Sequence, residues 1–406
     1  MINNELIPHL FRQEYGKMTA VLCHQFGLDQ IGLAEDIVSD TFSDALESWP
    51  HRGIPANPTA WLYRVAKNKT INILKKRQSQ LNYDNQQVVD FSKIEFSEEL
   101  IADSQLRMIF AVCHPALPNE ARIALALKVL CGFGIEEIAN AFLTSKDVIN
   151  KRLYRAKKYL RAHQTDLDTI DQYDIKRRMD SVLTTIYLLF NEGYYSESND
   201  SIIRKDLCLE ALRLGYILST NEETSSNEVN ALVALICFHS SRLEARMGAC
   251  GQVVLYNDQD SELWDHDLIA KGVDYLNRSS NGDSISKYHL EANIAYWHTV
   301  KEDSEEKWKY ILTMYDLLLL KEKSSVAALN RTYAVYKLGG EEAAAKDAYK
   351  LNLYQNQYYY VLLAELHLQK DKQKSMNYLE TAYDLAKTEP EKNLIHSKIS
   401  QLAYAC

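Results

Sequence analysis

The chain has 406 residues, 46% hydrophobic and 25% charged, with a formal net charge of −9. That length exceeds one ordinary core and predicts two or three domains, while the composition excludes a disordered or membrane-embedded chain. The charge is unevenly split: residues 1–165 hold 20 Lys and Arg against 18 Asp and Glu, a net of +2, and residues 166–406 hold 26 against 37, a net of −11. A basic-leaning front suits a polyanion, and an acidic rear suits a protein partner or a shield over the front. The opening MINNELIPHLFRQEYGKM has no apolar stretch behind a basic head, so no secretory signal is expected. The longest apolar run, Ala231 to Phe238, is far short of a bilayer span, so no membrane contact is expected. Seven scattered cysteines predict reduced thiols and a cytoplasmic protein.

Glycine (14) and proline (7) are scarce and apolar residues recur at three and four, which predicts an all-α fold. The first domain is expected over residues 1–78. Between Asp29 and Glu47 it has six acids and no base. Asp36, Asp40, Asp44 and Glu47 share one helix face, with Val38, Phe42, Ala45 and Trp49 on another as core. Like charges four apart weaken a free helix, and a basic partner would relieve that cost. The loop PHRGIPANPTA follows, then WLYRVAKNKTINILKKRQ, with six bases, among them Arg64, Lys67, Lys69, Lys75 and Lys76, and no acid. Residues 79–100, polar and without a clear period, are the expected linker.

The second domain is expected over residues 101–165. In it GIEEIANAFLTS predicts a short helix and a turn, and TSKDVINKRLYRAKKYLR a longer helix. Ser145 to Arg161 holds seven Lys or Arg and one acid, Asp147. Ile149, Leu153, Ala156 and Leu160 form its apolar stripe, and Thr144 with Asp147 has the form of a capping box. Short helix, turn and basic helix make a helix-turn-helix. Lys151, Arg155, Lys157 and Lys158 are expected on phosphates, and Ser145, Lys146, Asp147 and Asn150 on base edges. Residues 166–406 read as further helices. Val326 and Val361 open two helix–turn–helix segments 35 residues apart, near the period of tetratricopeptide repeats, with Ala334, Ala364 and Ala382 at close approaches.

AEDIVSDTFSDALESW, NPTAWLYRVAKNKTINILKKR and IEEIANAFLTSKDVINKRLYRAKKYLR resemble bacterial RNA polymerase sigma factors of the extracytoplasmic-function (ECF) group of the sigma-70 family, the first two region 2 and the last region 4. VCHPALPNEARIALAL, YLLFNEGYYS, LYNDQDSELWDHDLIAKG and VAALNRTYAVYKLGG (Val326 to Gly340) are similar to the subgroup with a long tetratricopeptide-like C-terminal extension. The resemblance implies two small helical domains followed by a larger helical one. It implies that Asp36, Asp40 and Asp44, with Glu47 on the same face, dock on the β′ clamp of core RNA polymerase, with the β subunit as a further contact. The loop from Arg52 to Pro58, with Asn57, Trp61, Arg64, Lys67, Asn68, Asn72, Lys75 and Lys76, would read and open the −10 element of promoter DNA. Ser145, Lys146, Asp147, Asn150, Lys151, Arg155 and Lys158 would read the −35 element. The extension would regulate initiation and could receive an unidentified protein or ligand. Ser39 stands where the family often has Gln, Asn72 where it has Asp, and Val148-Ile149 where it has Thr-Val.

No metal, cofactor or enzymatic activity is expected. Cys23-His24, Cys113-His114, Cys131 and Cys237 with His239 lack zinc-site spacing. NDQDSELWDHD has alternating acids like a calcium loop, but Leu263 takes the place of the required glycine, which leaves a structural loop lining a groove as the reading. The competing reading of the whole chain is a helix-turn-helix regulator or scaffold that does not support initiation.

Overall fold

A computed structural model describes residues 3–81, 96–142, 144–163, 167, 170–194, 204–247, 254, 256–282, 284–386 and 388–404. The chain divides into two compact units, Met1–Leu188 and Leu189–Cys406. Among the described residues the regular structure is helical throughout, without a β-strand.

The first unit contains α1 (Asn3–Phe26), a 3-10 turn (Leu28–Gln30), α2 (Ile31–Arg52), α3 (Pro58–Leu81), α4 (Glu98–Val112), α5 (Asn119–Val129), α6 (Ile135–Ala141), α7 (Lys146–Ala162) and most of α8 (Gln172–Tyr194). Helix α1 packs against α2 and α3 and also against α4 and α5, so helices of both predicted N-terminal domains share this unit. Its residues Tyr15 and Met18 through Cys23 are buried on every side, as a helix enclosed by neighbours requires. Gly16 makes one crossing possible: a Cβ there would lie 2.0 Å from the carbonyl oxygen of Leu130, just beyond α5.

Several boundaries differ from the sequence-based expectation. Pro50, His51 and Arg52 remain helical in α2, so the predicted loop shrinks to residues 53–57. A proline near a helix end loses only one ladder bond, and the turn is closed by Gly53 N–H to the Trp49 carbonyl at 3.0 Å. Helix α3 continues to Leu81, and α4 begins at Glu98, where the Ser97 hydroxyl accepts the Leu100 N–H. Residues 82–95 of the expected linker lie outside the described residues.

The second unit contains α9 (Lys205–Thr220), α10 (Asn227–Ser240), α11 (Leu243–Arg246), α12 (His266–Ser279), α13 (Lys287–Trp297), α14 (Glu305–Lys321), α15 (Ser325–Leu351), α16 (Gln357–His367), α17 (Lys372–Leu385) and α18 (Glu389–Tyr404). The apolar run Ala231–Phe238 is the middle of α10, buried by α9, α12 and α13. From α13 onward helices pack on their chain neighbours, and three hydrophobic clusters follow one another along the sequence. That succession is the organisation of a helical-hairpin array. Helix α15 is two helices meeting at Gly340, whose φ of +74° makes the turn in LGGEE. Ala334, Ala364 and Ala382 are buried at these contacts.

Candidate nucleic-acid interface

Each of three helices in the first unit separates a buried apolar face from an exposed polar one. On α2, Val38, Phe42, Ala45 and Trp49 are buried, while Asp36, Asp40 and Glu47 are exposed. Asp44, on the same face, is half-buried and already partnered: its carboxylate meets the Lys69 amine of α3 at 3.0 Å. Lys69 also donates to the Asp40 backbone carbonyl at 3.1 Å. A base of the cationic helix is thus spent on the acidic one.

Helix α3 buries Leu62, Ala66 and Thr70. Arg64, Asn68, Asn72, Lys75 and Lys76 are exposed along one face, following spacings of four and three. Lys67 is half-buried beside that face. Arg52 is exposed at the end of α2, and the Asn57 side chain accepts the Ala60 N–H at 2.9 Å, starting α3. Trp61, half-buried, meets Trp49 edge-to-face at 5.4 Å, which fixes the indole beside the 53–57 loop.

Helix α7 is 17 residues long, about 26 Å at 1.5 Å per residue, ample to cross a major groove. Ile149, Leu153, Ala156 and Leu160 are buried; the Ile and Leu side chains each contribute roughly 1.5–3 kcal/mol by leaving water. Opposite them Asp147, Asn150, Lys151, Arg155 and Lys158 are exposed. The predicted cap moves by one residue: Ser145, not Thr144, is the N-cap, and its hydroxyl accepts the Val148 N–H at 3.3 Å. Lys146 pairs with Glu136 of α6 at 2.9 Å, both side chains being exposed. Surface pairs of this kind hold little energy and exchange readily.

Lys157 corrects the expectation that it meets phosphate. Its amine closes on Glu35 of α2, and the two side chains are 18% and 9% exposed. On the helix it sits at the edge of the buried stripe, where a long side chain reaches α2 more easily than solvent. Arg12 of α1 similarly pairs with Glu137 of α6, whose second oxygen accepts the Gly134 N–H and starts α6. Tyr154, 65% exposed, lies on the cationic face beside Lys151 and Lys158. Sequence reasoning passed over it; an aromatic at a polar helical position between two lysines was the available signal.

Arg107, Arg122 and Arg178 are tied into the structure. Arg107 binds Asp103 and the carbonyls of Leu167 and Ile170, Arg122 the carbonyl of Ser181, and Arg178 Asp174. Among the described residues no group of three or more His, Cys, Asp or Glu side chains could hold a metal ion. Two acids of NDQDSELWDHD are helix caps: Asp260 accepts the Glu262 N–H, and Asp265 the Leu268 N–H. No described helix is long and apolar enough to cross a membrane.

Comparison with known proteins gives this arrangement a family. Residues 10–80 match sigma-70 region 2, residues 107–160 match sigma-70 region 4, and residues 178–280 match a family of unknown function, DUF6596. An uncharacterized protein of Rhizobium meliloti (strain 1021) is 34% identical over 335 residues, covering 80% of this chain and 78% of that protein. The ECF RNA polymerase sigma-E factor of Escherichia coli (strain K12) is 30% identical over 138 residues, 31% of this chain and 71% of that protein. A probable RNA polymerase sigma factor of Haemophilus influenzae is 23% identical over 150 residues, 33% of this chain and 77% of that protein. No solved structure matches the chain. The chain belongs to the ECF group of the sigma-70 family, as a sigma factor with a C-terminal helical extension. Membership implies binding to core RNA polymerase and promoter DNA.

Proposed function

We propose that the chain directs promoter-specific initiation through residues 1–78 and 101–165, and that residues 166–406 regulate it. Asp36, Asp40 and Glu47 dock on the β′ clamp, with Asp44 secondary because Lys69 already neutralises it. Arg52, Asn57, Trp61, Arg64, Lys67, Asn68, Asn72, Lys75 and Lys76 engage the −10 element. Asp147 and Asn150 read −35 base edges, assisted by Ser145 and Lys146, while Lys151, Arg155, Lys158 and Tyr154 hold the backbone. The β subunit is a further contact on the polymerase. The protein works in the cytoplasm as a binding subunit, without a catalytic centre of its own.

The observation that carries this reading is the common layout of α2, α3 and α7. Each anchors itself by an apolar stripe and leaves a charged face exposed, in a chain that matches sigma regions 2 and 4. Extruding bases at −10 costs stacking energy, and a cationic face beside a fixed indole offsets part of it. Run-off transcription with core enzyme tests it: this chain should be required for a product from its promoter. A helix-turn-helix regulator would bind the same fragment and give none.

A further inference from the structure

Two cations of the second unit are buried away from direct ion-pair partners among the described residues. Arg242, between α10 and α11, is 5% exposed, and Lys307, in the first turn of α14, is 1% exposed. Among the described residues neither forms an ion pair. The Arg242 guanidinium reaches the Tyr194 hydroxyl at 3.5 Å and the Tyr256 ring, 5.5 Å from its centroid, and its Nε is buried without a partner. The Lys307 amine donates to the Tyr256 hydroxyl at 3.1 Å and to the Val300 carbonyl. Asp303, on the segment leading into α14, acts on Lys307 only at a distance, its oxygens being bonded to Lys337 and to the Trp308 indole.

His298 stands against the same tyrosine, ring centroids 5.2 Å apart, and its buried Nδ1 has no hydrogen-bond partner among the described residues. Burial first, then Arg242 and Lys307, push its pKa down to about 3, so the ring is neutral near pH 7. Arginine cannot shed its proton in a protein, and an unpaired buried charge is among the costliest features a fold can carry. Arg242, Lys307 and His298 therefore converge on Tyr256 with more donors than acceptors around them among the described residues, and the Tyr194 hydroxyl already accepts from Arg242. An oxyanion would satisfy that excess through charge-assisted hydrogen bonds, those to Arg242 in fork geometry.

We propose that the cluster of Arg242, Lys307, His298, Tyr194 and Tyr256 is an oxyanion-binding site within the extension, taking the phosphate or carboxylate group of a small ligand.

The test uses the full chain, titrated with sodium phosphate or sodium acetate against sodium chloride at matched ionic strength. Binding to the native state raises the melting temperature saturably. Phosphate should do so for a phosphate site and acetate for a carboxylate site. Hydrogen exchange should slow over residues 239–246 and 298–308. Arg242→Gln and Lys307→Met should each weaken the apparent Kd about 10-fold or more, as loss of one charged hydrogen bond predicts. If Arg242→Gln does not fold, Lys307→Met and the wild-type exchange pattern decide. No saturation with either anion, equal affinity in the variants, or protection confined to other segments would overturn the proposal.

Discussion

The Lys157 amine of α7 ends on the Glu35 carboxylate of α2, so the helix with the cationic face is fastened to the helix with the acidic one by a pair mostly withdrawn from water. The second Glu35 oxygen is buried with no partner among the described residues, so the lysine carries most of that carboxylate's compensation. Removing one member strands the other. Lys157→Met should cost about 2–4 kcal/mol of unfolding free energy, discounted for the residual exposure of the pair. Adding Glu35→Leu should recover part of that loss. Urea unfolding of the four members of the cycle measures the coupling, and strict additivity would mean the pair is incidental.

The exposed acids of α2 can be reversed without touching the core. Asp36→Lys with Asp40→Lys should keep the helical circular dichroism and weaken binding to core enzyme by roughly 10–100-fold. Asp44→Asn should do less, because Lys69 already meets that charge. Fluorescence anisotropy with labelled protein reads both, and unchanged affinity in the double variant would remove α2 as the docking face.

The cationic face of α7 is separable from its structural lysine by salt dependence. Lys151→Glu with Arg155→Glu should lower affinity for promoter DNA and flatten the slope of log K against log salt by about two. Lys157→Gln, a change in the lock to α2, should leave that slope unaltered at a temperature where the variant is folded. Equal slopes in all three proteins would contradict the assignment.

Acid should loosen the first unit through His114. Burial first, then Arg178 and Arg177, lower its pKa to about 4 from 6.5, and its Nδ1 accepts the Ala116 N–H at 3.2 Å. The unfolded chain takes up the proton near pH 6.5 while the folded chain refuses it until about pH 4. The contribution is therefore complete above pH 6.5 and is lost as pH falls toward 4, by roughly 1–2 kcal/mol after allowance for partial exposure. His114→Asn, which can still accept the Ala116 N–H, should flatten that part of the stability–pH curve. An unchanged curve would sink the prediction.

Much of this was readable in the sequence, for identifiable reasons. The stripe Ile149, Leu153, Ala156 and Leu160 is buried as its spacing requires, because helix period and solvent alone decide it. The same holds for Val38, Phe42, Ala45 and Trp49 on α2. Lys157 was misjudged because composition gives every lysine the same outward prospect, and only the place of α2 shows that it turns inward. Ser145 and Thr144 are both competent caps, and choosing between them takes backbone geometry. Arg242, His298 and Lys307 come from three separated segments, so no local pattern gathers them; SSRLEARM, with arginines four apart in an apolar context, was the one local hint.

Transcription by core RNA polymerase from the cognate promoter weighs all three helix faces together. The full-length chain should yield run-off product, and Asp36→Lys with Asp40→Lys, or Lys151→Glu with Arg155→Glu, should abolish it while each variant keeps its fold. Undiminished product from either pair would contradict the assignment of these surfaces to polymerase and promoter.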